Sequence, residues 1–399
     1  MIVRELQSDA ELLAAQKIGV LAFNSSCDIE ATAKSIAANP KPQGIYGAFD
    51  EHDRLCAKLA HRPFTMNFDG HWVKLAGVAG VASLVEARGK GAVGAIFRHL
   101  LRQKRQEGWL FSALYPVANS YYRQFGYEVC NYHEQYTLPT KALLAYAKSS
   151  QCEVSLGLPD DDCTPYELIF AEFARGRNLA ISRTDDMWSR RLSPDPYKDK
   201  VYRYLLRDAR QCPVAYVIFT VGSVDGSRSI KVTDCAFVDA AAGRDLLGFL
   251  STLYIQYPKL EISLPTDFDL AVAVPEAYDC SKSWRASGQC RVLDVQAVLK
   301  LMRYPTENGS FSIAVDDAFL PEVSGVFHVD FQADGSVAVE PCATDAVDIR
   351  CSQECFTQLC LGFCDLTAAS LRADLAVNAN HDLLQRVFVR KPRYFSERF

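Results

Sequence analysis

Two periods of hydrophobic spacing run through the first 145 residues. Glu11–Phe23 repeats apolar side chains every three to four positions and predicts an amphipathic helix, while Gly44–Phe49 and Trp72–Leu84 are apolar runs that predict strands. Within Gly91–Gln106, Ala92, Val93, Ile96, Phe97, Leu100 and Leu101 recur at the spacing of one buried helical stripe. Trp109–Tyr115 predicts another strand, and Tyr121–Tyr127 a short helix running into a strand. A second block, from about Cys152, has strand patterns at Val201–Leu206, Val214–Val221 and Leu260–Leu264 around a helix at Ala240–Tyr254. In a third, from about Ala297, Phe311–Val315, Gly325–Phe331 and Ser336–Val339 read as short strands, with a turn at Asp334-Gly335 and a helical tail from Cys351. Such a succession is α/β or α+β, and 399 residues suggest two or three domains.

Composition narrows the class. The chain is 49% hydrophobic and 23% charged, the balance of a globular protein, with a net charge of −5. That charge argues against nucleic acid as a partner, because phosphate binding needs a surplus of Lys and Arg. No run reaches the roughly 20 apolar residues that span a bilayer, and the acidic, amphipathic N-terminus is unlike a secretory signal, so membrane insertion is not expected and a cytoplasmic location is. The fourteen cysteines lack C-x-x-C pairs. Cys351, Cys355, Cys360 and Cys364 fall at helical spacing and read as reduced core thiols on one helix face rather than metal ligands.

The stretch richest in chemistry is VASLVEARGKGAVGAIF, residues 81–97. An apolar strand ends there, and Arg88-Gly89-Lys90-Gly91 opens the helix. Gly89, Gly91 and Gly94 let backbone approach a ligand, the unpaired N–H groups of a helix start attract anions, and Arg88 and Lys90 add positive charge. Pyrophosphate fits such a place, although the spacing is not that of a Walker loop.

Arg88-x-x-Gly91-x-Val93 resembles the R/Q-x-x-G-x-G/A signature of GNAT acetyltransferases, with Val93 departing at the last position. Tyr122-Arg123-Gln124-Phe125-Gly126-Tyr127 resembles the Y-x-x-F-G-Y of the Eis-like (enhanced intracellular survival) branch. Cys290–Leu299 is similar to the seam between that family's second and third domains, and Leu359–Leu371 to the helical part of its sterol-carrier-like domain. The resemblance implies two GNAT-type domains in tandem (1–145 with the acetyl-CoA site, 146–296 without the donor motif) and a sterol-carrier-like domain (297–399). It implies acetyl transfer to an amine, Tyr122 as general acid and the α-carboxylate of Phe399 as general base. Val81, Ala82 and Ser83 would pair with the pantetheine arm, Val117 and Ala118 would flank it, and Gly89–Gly94, including Ala92, would take the pyrophosphate. No metal is implied, and the family's hexamer is carried as resemblance only.

The acceptor is less legible. Asp28 and Glu30 could draw a cationic amine such as a polyamine or an aminoglycoside. Protein lysine acetylation fits the same acidic pair, and a lipid- or sterol-binding protein with a vestigial transferase site is the rival from another class.

Overall fold

The computed structural model describes residues 1–147, 152–344 and 346–399. They divide into two compact units, one of 1–131, 287–391 and 397–399, the other of 132–286 and 392–396.

The first unit begins with a seven-stranded sheet. Its chain-order strands are β1 Ile2–Glu5, β2 Ile45–Phe49, β3 Leu55–Phe68, β4 His71–Ser83, β5 Phe111–Leu114 and β6 Glu128–Val129. The spatial order is β1-β2-β3-β4-β5, then the distant strand Gln289–Val292, then β6. Helices α1 Asp9–Ala22, α2 Ile29–Ala38, α3 Ala92–Gln106 and α4 Asn119–Arg123 connect them. A capping box starts α1: Ser8 accepts from the Glu11 N–H while the Glu11 carboxylate accepts from the Ser8 N–H. The stripe expected on α3 is its core face, with Ile96, Phe97, Leu100 and Leu101 fully buried.

The long strand β3 escaped the sequence pattern because Lys58, His61, Arg62 and Pro63 interrupt its apolar run. Pro63 is tolerated because β2 pairs only with Leu55–Ala60 and the Gly44 carbonyl accepts from the His61 N–H, so beyond His61 no strand among the described residues pairs with that side of β3.

A five-stranded sheet forms the rest of this unit, in the order Val337–Pro341, Gly325–Phe331, Gly309–Asp316, Ile349–Ser352, Leu375–Val377. Phe311, Ile313, Val315, Val329 and Phe331 fill its buried face. The helical tail expected from Cys351 is instead broken into several pieces. Cys351 lies in the strand Ile349–Ser352, Ser352 caps the helix Gln353–Cys360, and Leu375–Val377 returns as a strand. The four cysteines therefore do not share one helix, although all are buried free thiols as expected. No metal-binding cluster of His, Cys, Asp or Glu occurs among the described residues.

The second unit repeats the plan without sequence likeness. Its sheet runs Glu153–Leu156, Val201–Arg207, Pro213–Val224, Ser227–Phe237, Lys259–Ser263, Tyr132–Pro139, Ser281–Ala286. In both large sheets the fourth and fifth strands are parallel, and the sixth place is filled by a strand from far away in sequence. Among the described residues no helix is long and apolar enough to cross a membrane.

Candidate active site

Strands β4 and β5 part company halfway. They pair from Leu75–Phe111 to Val78–Leu114, after which β4 continues to Ser83 bonded only to β3. On the β5 side, the backbone N–H and C=O groups of Ala79–Ser83 are left for another extended partner. A bulge lies in this stretch: Lys58 pairs with Ala82 but Ala60 with Ala79, so β4 carries the extra residue, and Gly80 sits in the left-handed region at φ 56°. Val81 and Ser83 are half-buried here, and Ala82 is in the core.

From Ser83 the chain runs through Arg88, Gly89 and Lys90, all exposed, to Gly91 at the N-cap of α3. Gly89 and Gly91 have φ of 74° and 79°, which a side chain would strain, and nothing lies within 4 Å of the place a Cβ would occupy. No side chain caps α3 and no acidic residue sits in its first turn, so the N–H groups of Ala92, Val93 and Gly94 carry the positive end of the helix dipole without a side-chain acceptor. These residues fit a pyrophosphate. The corresponding helix of the second unit, Ala240–Ser251, does not: it follows its strand after only Val238 and Asp239, and the Asp239 carboxylate accepts the Ala242 N–H at 2.8 Å. A carboxylate already occupies that anion position.

Beyond β5, Val117 is 83% exposed and Ala118 is the extended N-cap of α4. Three tyrosines follow in close order, and their surroundings separate them. Tyr127 is fully buried with its hydroxyl 2.6 Å from Ser112 Oγ; Ser112 donates its proton to the Ala76 carbonyl, so Tyr127 must donate to Ser112. Tyr121 is 39% exposed. Tyr122 is 5% exposed, held between Phe97 and Tyr121 at ring separations of 6.1 and 5.0 Å. Burial, and then the Tyr121 hydroxyl, push its pKa up to about 12.

The turn after α4 is fixed by a residue of the distant strand. Arg291, fully buried, donates to the Phe125 carbonyl and pairs with Asp317, itself buried. Gly126 has φ 78°, and a Cβ there would lie 2.7 Å from Arg291 Nη1. Gln289 of the same strand donates to the Asn119 carbonyl at 3.2 Å. On the strand's far side, Gln353 donates to the Val292 carbonyl and the Val292 N–H to Thr357 Oγ1.

Phe399 lies in this unit. Its ring packs 4.6 Å from that of Phe64 and 5.5 Å from that of Tyr115, and Tyr115 donates to the Glu397 carbonyl at 2.6 Å. Gly77, next to the last β4–β5 pair, makes room: a Cβ there would stand 2.9 Å from Phe399 Cε2. The sequence alone does not mark Gly77, Phe64, Tyr115 or Arg291 as site residues. A glycine inside an apolar strand was the only local signal, and it marks a close approach.

Asp28 and Glu30 stand elsewhere in character. Asp28 is the N-cap of α2 and accepts from the Glu30 and Ala31 N–H groups at 2.9 and 3.0 Å, while Glu30 is exposed in the first turn.

Comparison with known proteins bears on this geometry. Residues 3–130 and 179–292 each match a model of the acetyltransferase (GNAT) domain, and residues 295–396 match the sterol carrier protein domain. No curated protein sequence matches the chain. The fold and the two matched domains define a GNAT-superfamily N-acetyltransferase. Its architecture, a GNAT tandem followed by a sterol carrier domain, is the Eis-like one. It shares its fold with Eis1 from Mycobacterium abscessus at 19% identity and TM-score 0.80, over 100% of both chains. A probable N-acyltransferase of unknown function from Enterococcus faecalis superimposes with TM-score 0.82 at 20% identity, over 100% of this chain and 99% of that one. A GCN5-related N-acetyltransferase from Anabaena variabilis does so with TM-score 0.80 at 19% identity, over 97% of each.

Proposed function

We propose that the protein transfers the acetyl group of acetyl-CoA directly to the amine of a small molecule, using Tyr122 as general acid and the α-carboxylate of Phe399 as general base. In this reading the chain works as three modules, 1–145, 146–296 and 297–399, in the cytoplasm, and only the first holds the donor. The observation that carries the proposal is the free backbone edge of Ala79–Ser83 leading to an uncapped helix start at Ala92. An extended amide-bearing arm pairs with such an edge, and its pyrophosphate end meets the N–H groups of Ala92, Val93 and Gly94 beside Arg88 and Lys90. Val117 and Ala118 flank the arm from the β5 side.

Proton traffic then falls to two groups. The acceptor arrives as an ammonium and must lose a proton before its nitrogen attacks the thioester; the Phe399 carboxylate takes it. The departing thiolate needs a proton in return, and Tyr122 gives it. A phenol with its pKa raised to about 12 keeps its proton at neutral pH, as a donor must. Tyr127 is less suited because its proton is committed to Ser112.

Mass spectrometry of a panel of polyamines, aminoglycosides, amino acids and lysine peptides incubated with acetyl-CoA tests the reaction. One-acetyl mass gains are expected, and a protein that binds no acetyl-CoA would remove the reading. Adding one residue after Phe399 moves the carboxylate and should suppress turnover while acetyl-CoA still binds. Unimpaired turnover of the extended chain would end the role given to Phe399.

A further inference from the structure

Alternation along β3 puts Lys58, Arg62 and Phe64 on one face. Phe399 lies on the same face, because its ring meets both Phe64 and the Cβ position of Gly77, the residue paired with Arg62. Helix α1 packs over this side of β3 and β4.

The ammonium of Lys58 is inserted between two glycines. Its Nζ is 3.1 Å from the Cβ position of Gly80, at the β4 bulge, and 3.5 Å from that of Gly19 on α1, with the Phe23 ring centre 6.0 Å away. A Cβ at Gly80 would press on it, and one at Gly19 would make ordinary contact with it. Yet no carboxylate receives it: neither Lys58 nor Arg62 makes an ion pair or a side-chain hydrogen bond among the described residues. Burial, and then the like charge of Arg62, push the Lys58 pKa down. A half-buried cation facing a second cation is unfavourable unless an anion joins them. Arg398 adds a third positive charge near Tyr115. The nominated acids do not offset this, since the Asp28 carboxylate is bound to the start of α2.

We propose that the acceptor is an amine that also carries a carboxylate, an amino-acid-like molecule rather than a polycation, and that Lys58, assisted by Arg62, receives this carboxylate beside the β4 bulge. The inference rests on the acetyl-transfer reading of the site and names its substrate class. A polyamine would bring a second ammonium against Lys58; an amino acid brings the missing anion and leaves its amine free to face Phe399. Lys58 is here a specificity residue, and Gly19 and Gly80 supply its space.

Lysine and cadaverine test this directly, because they present the same terminal amine and differ only by the carboxylate. Turnover of each is measured by mass spectrometry in the full-length protein, and acetyl-CoA binding by calorimetry. The native protein should show a KM lower for lysine than for cadaverine by about 10–100-fold, the factor that a charge-assisted hydrogen bond supplies. Lys58→Met, which keeps the stem and removes the charge, should collapse that ratio toward one; the surface change Arg62→Gln should reduce it by a few-fold. Cadaverine used as well as lysine by the native protein would overturn the proposal. So would a Lys58→Met variant whose KM rises for acetyl-CoA instead, since the lysine would then serve the donor. Absence of acetyl-CoA binding by the native protein is a separate result and would remove the transferase reading beneath it.

Discussion

Replacing Gly77 by alanine should unseat Phe399 while leaving the sheet in place. The backbone at Gly77 is ordinary strand, paired to Arg62 on one side and Ala113 on the other, so alanine carries no conformational penalty. The added methyl would stand 2.6 Å from Phe64 Cε2 and 2.9 Å from Phe399 Cε2. Carbon contacts settle at about 3.5–4.0 Å, so each ring must retreat by roughly 1 Å. Both clashes are with the ends of side chains, which keeps the stability cost within about 1–3 kcal/mol. Moving a proton acceptor by about 1 Å costs on the order of 100-fold in rate. The Gly77→Ala protein should therefore melt cooperatively, bind acetyl-CoA normally and lose about two orders of magnitude in kcat. In a chain extended by one residue after Phe399, the same substitution should add little, because the carboxylate is already displaced. A folded Gly77→Ala protein with native kcat would refute the reasoning, as would full additivity with the extension.

Tyr122→Phe should lower kcat by about 100- to 10,000-fold with acetyl-CoA affinity retained; because the native hydroxyl titrates at about 12, the rate of the native protein should fall with this group only as pH rises through about 12, and an alkaline limb from Tyr122 near 10 would contradict its burial. His61, buried edge-on against Trp109 at 5.1 Å, has its pKa lowered to about 4 by burial and then by Lys104. Its unfolded value is about 6.5, so its contribution to stability is present above that pH and is lost as pH falls through about 4. Urea midpoints should decline over that window, and less so in His61→Phe. Arg291→Met would leave Asp317 buried without its partner and should cost about 3–5 kcal/mol of the first unit's stability, read by chemical denaturation; an unchanged midpoint would show that Asp317 finds other partners.

Local chemistry wrote much of this protein into its sequence. The apolar stripe of α3 fixes a helix whatever surrounds it, and Gly89 and Gly91 mark positive φ because only glycine adopts it without strain. The uncapped helix start at Ala92 could thus be read from a few consecutive residues, and the matched domains bear out the transferase class. Four cysteines at helical spacing misled, because Ser352 starts the helix one residue after Cys351 and the chain turns back soon after Cys360. What depended on distant partners stayed hidden. Strand Gln289–Val292 joins the first large sheet and Tyr132–Pro139 the second, and strand pairing between such remote segments leaves no local period. Gly77 has no meaning until Phe399 lies against it, and Lys58 looks like any surface lysine until Gly19 and Gly80 close around its ammonium. The glycine loop before α3 was legible in the sequence because a helix start and its glycines are contiguous. Tertiary structure alone decided which residues surround Lys58 and Phe399, because that face is assembled from α1, β3, β4 and Phe399, brought together by packing.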